Sequence, residues 1–157
     1  MESSPLKTQF YKRSHFVTHL PVGYRYTRAH TWLVEQEDGL WRVGLTKFAT
    51  RMLGEIVDHA FETAPESPVA LGQVVGWIEG FKAISEIYCA GEGTFAGSNP
   101  ALKSNVQLVS EHPYEHGWLY LLKGQPDARC VDVDGYRAIL DEIIDRILER
   151  QKKEDSP

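Results

Sequence analysis

Cysteine is scarce in this sequence, and long apolar runs and clusters of basic residues are missing from it. Only Cys89 and Cys130 occur, with no CxxC pair that would indicate a zinc site or a disulfide framework. No apolar stretch approaches the roughly 20 residues that span a bilayer, and the N-terminus lacks the apolar core of a secretory signal. These absences predict a protein of the reducing cytoplasm with no membrane partner.

The charge balance is mildly acidic, with 17 Lys and Arg against 22 Asp and Glu and a formal net charge of -5. Binding to phosphate backbones requires clustered Lys and Arg, so we expect no nucleic-acid partner. A basic patch on a partner protein would suit this chain better. The chain has 157 residues, of which 42% are hydrophobic. A chain of this length and composition can form one domain with a real core but is too short for two ordinary domains.

Short apolar stretches separated by turn residues occupy residues 24–122, a pattern typical of a β-sandwich or β-barrel. Asp38 and Gly39 suit the tight turn of a first hairpin. Thr46 can cap a short helix that Gly54 then ends. The sequence therefore predicts a mainly β domain with one short internal helix.

The C-terminal stretch predicts an amphipathic helix, because apolar residues recur at steps of three and four from Tyr136 to Leu148 and Asp134 can cap its start. We expect this helix to pack on the β-domain; self-association or binding to a partner is the alternative use of its apolar face. The expected organisation is an N-terminal arm at residues 1–22, a β-domain at 23–130, the helix at 131–153 and a tail at 154–157.

Lys82 lies in a break between two predicted strands, which places it at or beside a hairpin tip. A lysine in such a place is ordinarily a solvated charge. Its neighbours change that expectation: Glu79 stands three positions before it, Ala83 directly after it, and Ser85 and Glu86 follow. This segment resembles the lipoylation segment of the glycine cleavage system H protein family.

Further motifs fall in the order of that family, from residue 24 into the C-terminal helix. They are Tyr26-Thr27 with His30 and Trp32-Leu33, residues 43–46, Phe48-Ala49, residues 53–57, Asn99, Leu102, Leu108-Val109, Pro113-Tyr114 and residues 117–119. Several ordered motifs at near-family spacing are far more specific than one lysine.

The resemblance implies a flattened β-barrel, or hammerhead, of two small antiparallel sheets with a short internal helix and a C-terminal helix. It implies a carrier with no catalytic or metal-binding residues, which holds lipoic acid in an amide bond to the Lys82 ε-amine. The tip that a lipoate-attachment enzyme recognises would consist of Glu79, Gly80, Phe81, Ala83 and Glu86. The flexible arm would carry an intermediate between partner enzymes, one of them dihydrolipoamide dehydrogenase.

Three departures from the family pattern bear on the pathway. Gly80-Phe81 replaces the usual Ser-Val, Cys89-Ala90 replaces Ala-Pro, and a Leu-Pro-x-x-Gly turn expected near residues 64–68 is missing. Lipoyl carriers resembling H proteins also serve bacterial sulfur oxidation together with a heterodisulfide-reductase-like complex, and this tip is more similar to that branch. The leading hypothesis is a carrier of sulfur intermediates. The alternative is the aminomethyl carrier that works with the glycine cleavage enzymes.

Other classes of function remain as competing hypotheses. Biotin carriers share the fold, but their lysine typically lies between methionines, whereas Lys82 lies between Phe81 and Ala83. His112 and His116 have an H-x3-H spacing that could serve a metal-dependent enzyme, although the intervening proline favours a loop. A third possibility is an unlipoylated interaction module that has kept the barrel.

Three further residues are candidates for roles near the arm. His30 and His59 could line the surface on which the arm rests, but a structural role is commoner for histidine. Cys89 follows the hairpin closely and could exchange with a dithiolane. Since nothing nearby in the sequence lowers its pKa, we expect a small buried residue.

Overall fold

The computed structural model describes residues 6–155, which form eleven strands and four helices. In chain order these are β1 (Thr8–Arg13), β2 (Phe16–Pro21), β3 (Arg25–Tyr26), β4 (Thr31–Glu37), β5 (Leu40–Leu45), α1 (Lys47–Leu53), β6 (Ile56–Phe61), β7 (Ser67–Val69), β8 (Val74–Gly80), β9 (Ile84–Tyr88), β10 (Gly91–Ser98), α2 (Ala101–Ser104), α3 (Leu108–Glu111), β11 (Tyr120–Pro126) and α4 (Val133–Asp155). The mainly β fold with a short internal helix and a C-terminal helix is confirmed.

Two antiparallel sheets enclose the main core. A six-stranded sheet has the order β3-β4-β5-β11-β10-β7, and a three-stranded sheet has the order β6-β8-β9. Val43, Phe95 and Leu122 from the first sheet and Val75 and Ile78 from the second are fully buried in one cluster. Burial of this apolar surface between two sheets is what holds the flattened barrel closed.

A third sheet consists only of β1 and β2 and lies in the stretch that we predicted as an N-terminal arm. Its two-residue turn begins at Ser14, whose φ is 54°. Tyr11, Phe16 and Leu20 are buried in a second cluster with Phe48 and the apolar face of α4. The arm is therefore a hairpin that packs on the C-terminal helix. Residues 1–5 of the predicted arm lie outside the described part of the chain.

The C-terminal helix differs from its prediction at both ends. The predicted cap at Asp134 is wrong: Asp134 lies in the first turn, and the carboxylate of Asp132 accepts a hydrogen bond from the Gly135 N–H at 2.9 Å. Two aspartates spaced by one residue both fit a cap, and only the backbone geometry separates them. The helix also continues through Asp155, so residues 154 and 155 belong to it rather than to a tail.

Local turn and cap signals were reliable elsewhere. Asp38 and Gly39 form the β4–β5 turn, Thr46 accepts a hydrogen bond from the Ala49 N–H, and Gly54 ends α1. None of the helices in residues 6–155 has the length and apolar character needed to cross a membrane.

Candidate functional site

Lys82 lies at the tip of the β8–β9 hairpin. Glu79 and Ile84 are the last paired residues of the ladder, and the Gly80 N–H donates to the Ala83 carbonyl at 2.9 Å. Phe81 and Lys82 are therefore the two central residues of a tight turn. Strand β8 extends through Gly80 and β9 begins at Ile84, so the predicted break between the two strands covers residues 81–83. The predicted position of Lys82 in the hairpin is confirmed.

The tip is tied to the connection between α1 and β6. The Lys82 and Ala83 N–H groups donate to the Leu53 carbonyl at 2.8 and 3.3 Å, and the Phe81 N–H donates to the Glu55 carbonyl at 3.0 Å. Three backbone hydrogen bonds thus hold a turn whose side chains point away from the core. Such a turn presents its lysine from a fixed position, unlike a lysine on a mobile loop.

Two glycines allow this close approach. A Cβ added at Gly80 would lie 2.2 Å from the Leu53 carbonyl oxygen, and one at Gly54 would lie 3.0 Å from the Lys82 nitrogen. Gly54 also has a φ of 81°, which favours glycine. A residue with a Cβ at position 80 would not fit this backbone separation. The tip therefore lies so close to the end of α1 that position 80 has room only for glycine.

The side chains of the tip are open to solvent. The Lys82 Nζ has one contact at the limit of hydrogen bonding, 3.5 Å from the Arg51 carbonyl oxygen. Phe81 beside it is 75% exposed. An exposed and weakly held amine on a rigid turn can be reached by a modifying enzyme and acylated without disturbing the core.

A cleft of about 840 Å³ runs alongside β9. Its walls are β9, the turn between β3 and β4, and the start of α4, and its apolar lining includes Leu53, Ile78, Ile87 and Ile139. This volume is in the range of small-molecule and cofactor sites. Because the Leu53 carbonyl also holds the tip, the cleft begins next to the turn that carries Lys82.

The carboxylates that line the cleft all have partners. Glu142 contacts Arg28 at 3.9 Å and Arg146 at 2.6 Å. Asp127 contacts Arg129 at 3.2 Å, and that guanidinium lowers the pKa of the Asp127 carboxyl. Glu86 accepts a hydrogen bond from the Tyr88 hydroxyl at 3.0 Å. The cleft is therefore an apolar channel edged by paired charges.

Cys89 lies in the inner wall of the cleft and is 2% exposed. Its thiol donates to the Gly91 carbonyl at 3.0 Å, and burial raises its pKa. The prediction of a small buried residue is confirmed. A thiol that is buried and held in the protonated form is a poor nucleophile.

The two histidines considered for the resting surface are not among the residues that line the cleft in the described part of the chain. His30 packs on Phe48, and its Nδ1 lies 2.8 Å from the Tyr136 hydroxyl. Burial lowers the pKa of His30 to about 4, so it is neutral near pH 7. His59 lies on β6 and is partly buried, which also lowers its pKa. His30 is a structural residue of the second core.

His112 and His116 occupy a turn after α3, as Pro113 and Gly117 predict, with ring centroids 5.8 Å apart. Within residues 6–155, no three His, Cys, Asp or Glu side chains are grouped so that they could hold a metal ion.

Comparison with known proteins identifies the family. The family model for the glycine cleavage H-protein matches residues 24–136. The H protein of Kocuria rhizophila is 34% identical over 131 residues, which cover 80% of this chain and 100% of that protein. The H protein of Citrobacter koseri is 31% identical, with 80% and 99% covered. The chain belongs to the glycine cleavage H-protein family.

A solved structure agrees with this assignment. The crystal structure of a glycine cleavage system H protein from Mycobacterium marinum superimposes with a TM-score of 0.68 at 25% identity, covering 76% of this chain and 97% of that one. Proteins of this family are carriers rather than catalysts and hold lipoate covalently on a lysine. The β1–β2 hairpin lies before the matched residues.

Proposed function

We propose that this protein is a lipoyl carrier whose attachment residue is Lys82. The observation that supports the proposal best is the tip itself: an exposed lysine amine on a turn that three backbone hydrogen bonds hold against the end of α1. The same turn gathers the other predicted site residues. Glu79 and Gly80 end β8, Phe81 and Ala83 flank the lysine, and Glu86 follows on β9.

The residues around the tip fit lipoate. Lys82 can form the amide, and the cleft beside it offers an apolar channel of sufficient volume for an aliphatic arm. When bound, the dithiolane of lipoate supplies thiol–disulfide exchange and group transfer. The chain contributes a fixed attachment point, an apolar surface that shields the arm from water, and a closed inner wall in which Cys89 stays protonated.

The cargo that the family favours is the aminomethyl group of glycine cleavage. All of the curated relatives described above are named glycine cleavage system H proteins. The partners would then be the glycine cleavage enzymes, with dihydrolipoamide dehydrogenase to restore the oxidised arm and a lipoate-attachment enzyme to install it. This assignment replaces sulfur oxidation as the first candidate.

A sulfur intermediate remains the second candidate because of the chemistry of the cleft. An aminomethyl group carries a basic amine, which a free carboxylate would hold well. Here Asp127 and Glu142 are each paired with arginine, and Glu86 accepts from Tyr88. A sulfur cargo has no need of a free carboxylate, and Gly80-Phe81 at the tip supports the same alternative.

The attachment site is tested by mass measurement. The wild-type chain, expressed with a lipoate-attachment enzyme and lipoate, should gain one lipoyl increment, and peptide mapping should place it on Lys82. Lys82→Ala should gain none and should unfold at the same denaturant concentration as wild type. Lys103→Arg, at an exposed lysine on α2, is the control and should be modified normally. A lipoyl group that persists in Lys82→Ala would refute the site.

The cargo is tested with the lipoylated protein. One sample is offered glycine and glycine decarboxylase, and a second, with its arm reduced, is offered a persulfide donor. Glycine-dependent release of CO₂ with a matching mass gain on the arm supports the aminomethyl carrier. A sulfur adduct without glycine-dependent loading supports the second candidate.

A further inference from the structure

A second surface borders Lys82: the outer face of the three-stranded sheet β6-β8-β9. Cross-strand pairing places Asp58, Glu79 and Ile84 in one row across this face. The next row contains Trp77 and Glu86. Since paired residues lie on the same side of a sheet, these side chains form one continuous surface that ends at the tip. We call it the outer sheet face.

The outer sheet face exposes more apolar area than a solvent-facing sheet requires. Ile84 is 64% exposed, Tyr88 49% and Val74 40%, while Trp77 is partly buried between them. An antiparallel sheet with one side in water ordinarily alternates apolar and polar side chains, with the polar ones outward. Contiguous apolar and aromatic side chains on the outward side are typical of a contact surface.

The charge of this face has a single sign. Asp58, Glu79 and Glu86 are exposed carboxylates, and the strands β6, β8 and β9 contain no Lys or Arg. The Tyr88 hydroxyl donates to Glu86, at the border between this face and the cleft. A surface that combines acidic and aromatic side chains is complementary to a basic surface with an apolar recess.

We propose that the outer sheet face is the surface on which the lipoate-attachment enzyme docks, and that this enzyme presents Lys or Arg side chains around an apolar recess. The inference rests on the proposed attachment at Lys82. An enzyme bound to this face would have Lys82 at the edge of its footprint, at a distance fixed by the hydrogen bonds of the tip. Docking on the sheet also explains how one lysine is selected among the exposed lysines of the chain.

The test uses a purified lipoate ligase as the probe and follows lipoylation of Lys82 by intact mass. Asp58→Lys reverses one charge of the face on β6, outside the residues of the turn and of its backbone anchor. Glu37→Lys makes the same charge change on an exposed residue of β4 in the other sheet. We expect Asp58→Lys to raise the KM for the carrier about tenfold at low ionic strength with kcat unchanged, and Glu37→Lys to change KM less than about twofold.

Salt separates the two parts of the contact. The KM defect of Asp58→Lys should shrink as ionic strength rises, because screening weakens exposed charge pairs. Ile84→Ser should raise KM by a factor that salt does not reduce. Equal KM values for wild type, Asp58→Lys and Ile84→Ser would overturn the docking surface, as would an equal effect of Glu37→Lys. If wild type itself gains no lipoyl group on Lys82, the proposed function fails as well, so the two failures are distinguishable.

Discussion

Substitution of Gly80 by alanine tests whether the tip depends on its close contact with the end of α1. The added Cβ would lie 2.2 Å from the Leu53 carbonyl oxygen and 2.7 Å from its carbon. To reach an ordinary contact of 3.4 Å, the two segments must separate by about 1.2 Å. Both groups belong to the backbone, so no flexible side chain can move aside.

That separation has a calculable effect on the tip. The Lys82 N–H donates to the same Leu53 oxygen at 2.8 Å, and a shift of this size takes the pair beyond hydrogen-bond distance. The Phe81 and Ala83 hydrogen bonds are lengthened with it. The steric cost and the loss of the hydrogen bonds both come from this one displacement, so their energies are not simply added. We expect Gly80→Ala to lower the free energy of unfolding by about 2 to 3 kcal/mol. Lys82 should also become a poorer substrate for the lipoate-attachment enzyme, because its turn is no longer held against the end of α1.

The control is Gly72→Ala, just before β8 at the other end of the same hairpin. Gly72 has a φ of 82° and no atom within 4 Å of an added Cβ, so alanine there introduces backbone strain without a clash. Denaturant unfolding should show a loss for both variants. The lipoylation rate of the folded protein should fall only for Gly80→Ala. Wild-type stability together with a wild-type lipoylation rate in Gly80→Ala would refute the close contact.

Two further predictions concern the second core. Burial lowers the pKa of His30 to about 4, below its ordinary value of 6.5. As the pH falls, the His30 imidazole therefore takes up a proton in the unfolded chain before it does so in the folded protein. Stability is lost as the pH falls from about 6.5 to about 4. The difference between the two pKa values corresponds to about 3 kcal/mol of stability. In His30→Asn, whose asparagine tolerates the φ of 65°, the free energy of unfolding should depend less on pH in this window than in wild type. Parallel curves of stability against pH for wild type and His30→Asn would contradict the prediction. Ile144→Ala, on the buried face of α4, should lower the free energy of unfolding by about 2 to 4 kcal/mol. Arg150→Ala, on the exposed end of the same helix, is the control and should have little effect. An unchanged denaturation midpoint in Ile144→Ala would show that this face of the helix is not packed on the domain.

Features encoded within a few residues were predictable from the sequence. The Asp38-Gly39 turn, the Thr46 cap and the Gly54 end of α1 each depend on one local backbone requirement that a residue type signals. The position of Lys82 at a hairpin tip followed from strand breaks and from the family resemblance. These signals need no knowledge of the rest of the fold.

Features that join distant segments were not predictable. The β1–β2 hairpin turns at Ser14-His15 without the glycine or asparagine that marks such a turn. The anchoring of the tip uses backbone carbonyls at Leu53 and Glu55, which any residue type supplies. Gly80 and Gly54 were local traces of that contact, and the sequence alone could not separate a close approach from a flexible turn or a helix end. The cleft depends on the placement of α4, which only the packed structure gives.

The N-terminal hairpin connects the two ends of the described chain, and this has a consequence for folding kinetics. The Tyr11 hydroxyl donates to Asp141 at 2.7 Å, and Arg13 donates to both carboxylate oxygens of Asp145 at 2.9 and 2.8 Å, across sequence separations of 130 and 132. Because contacts between such distant residues close the longest loops, we expect them to form late, after the barrel is in place. Loss of these contacts should therefore accelerate unfolding and leave the folding rate almost unchanged.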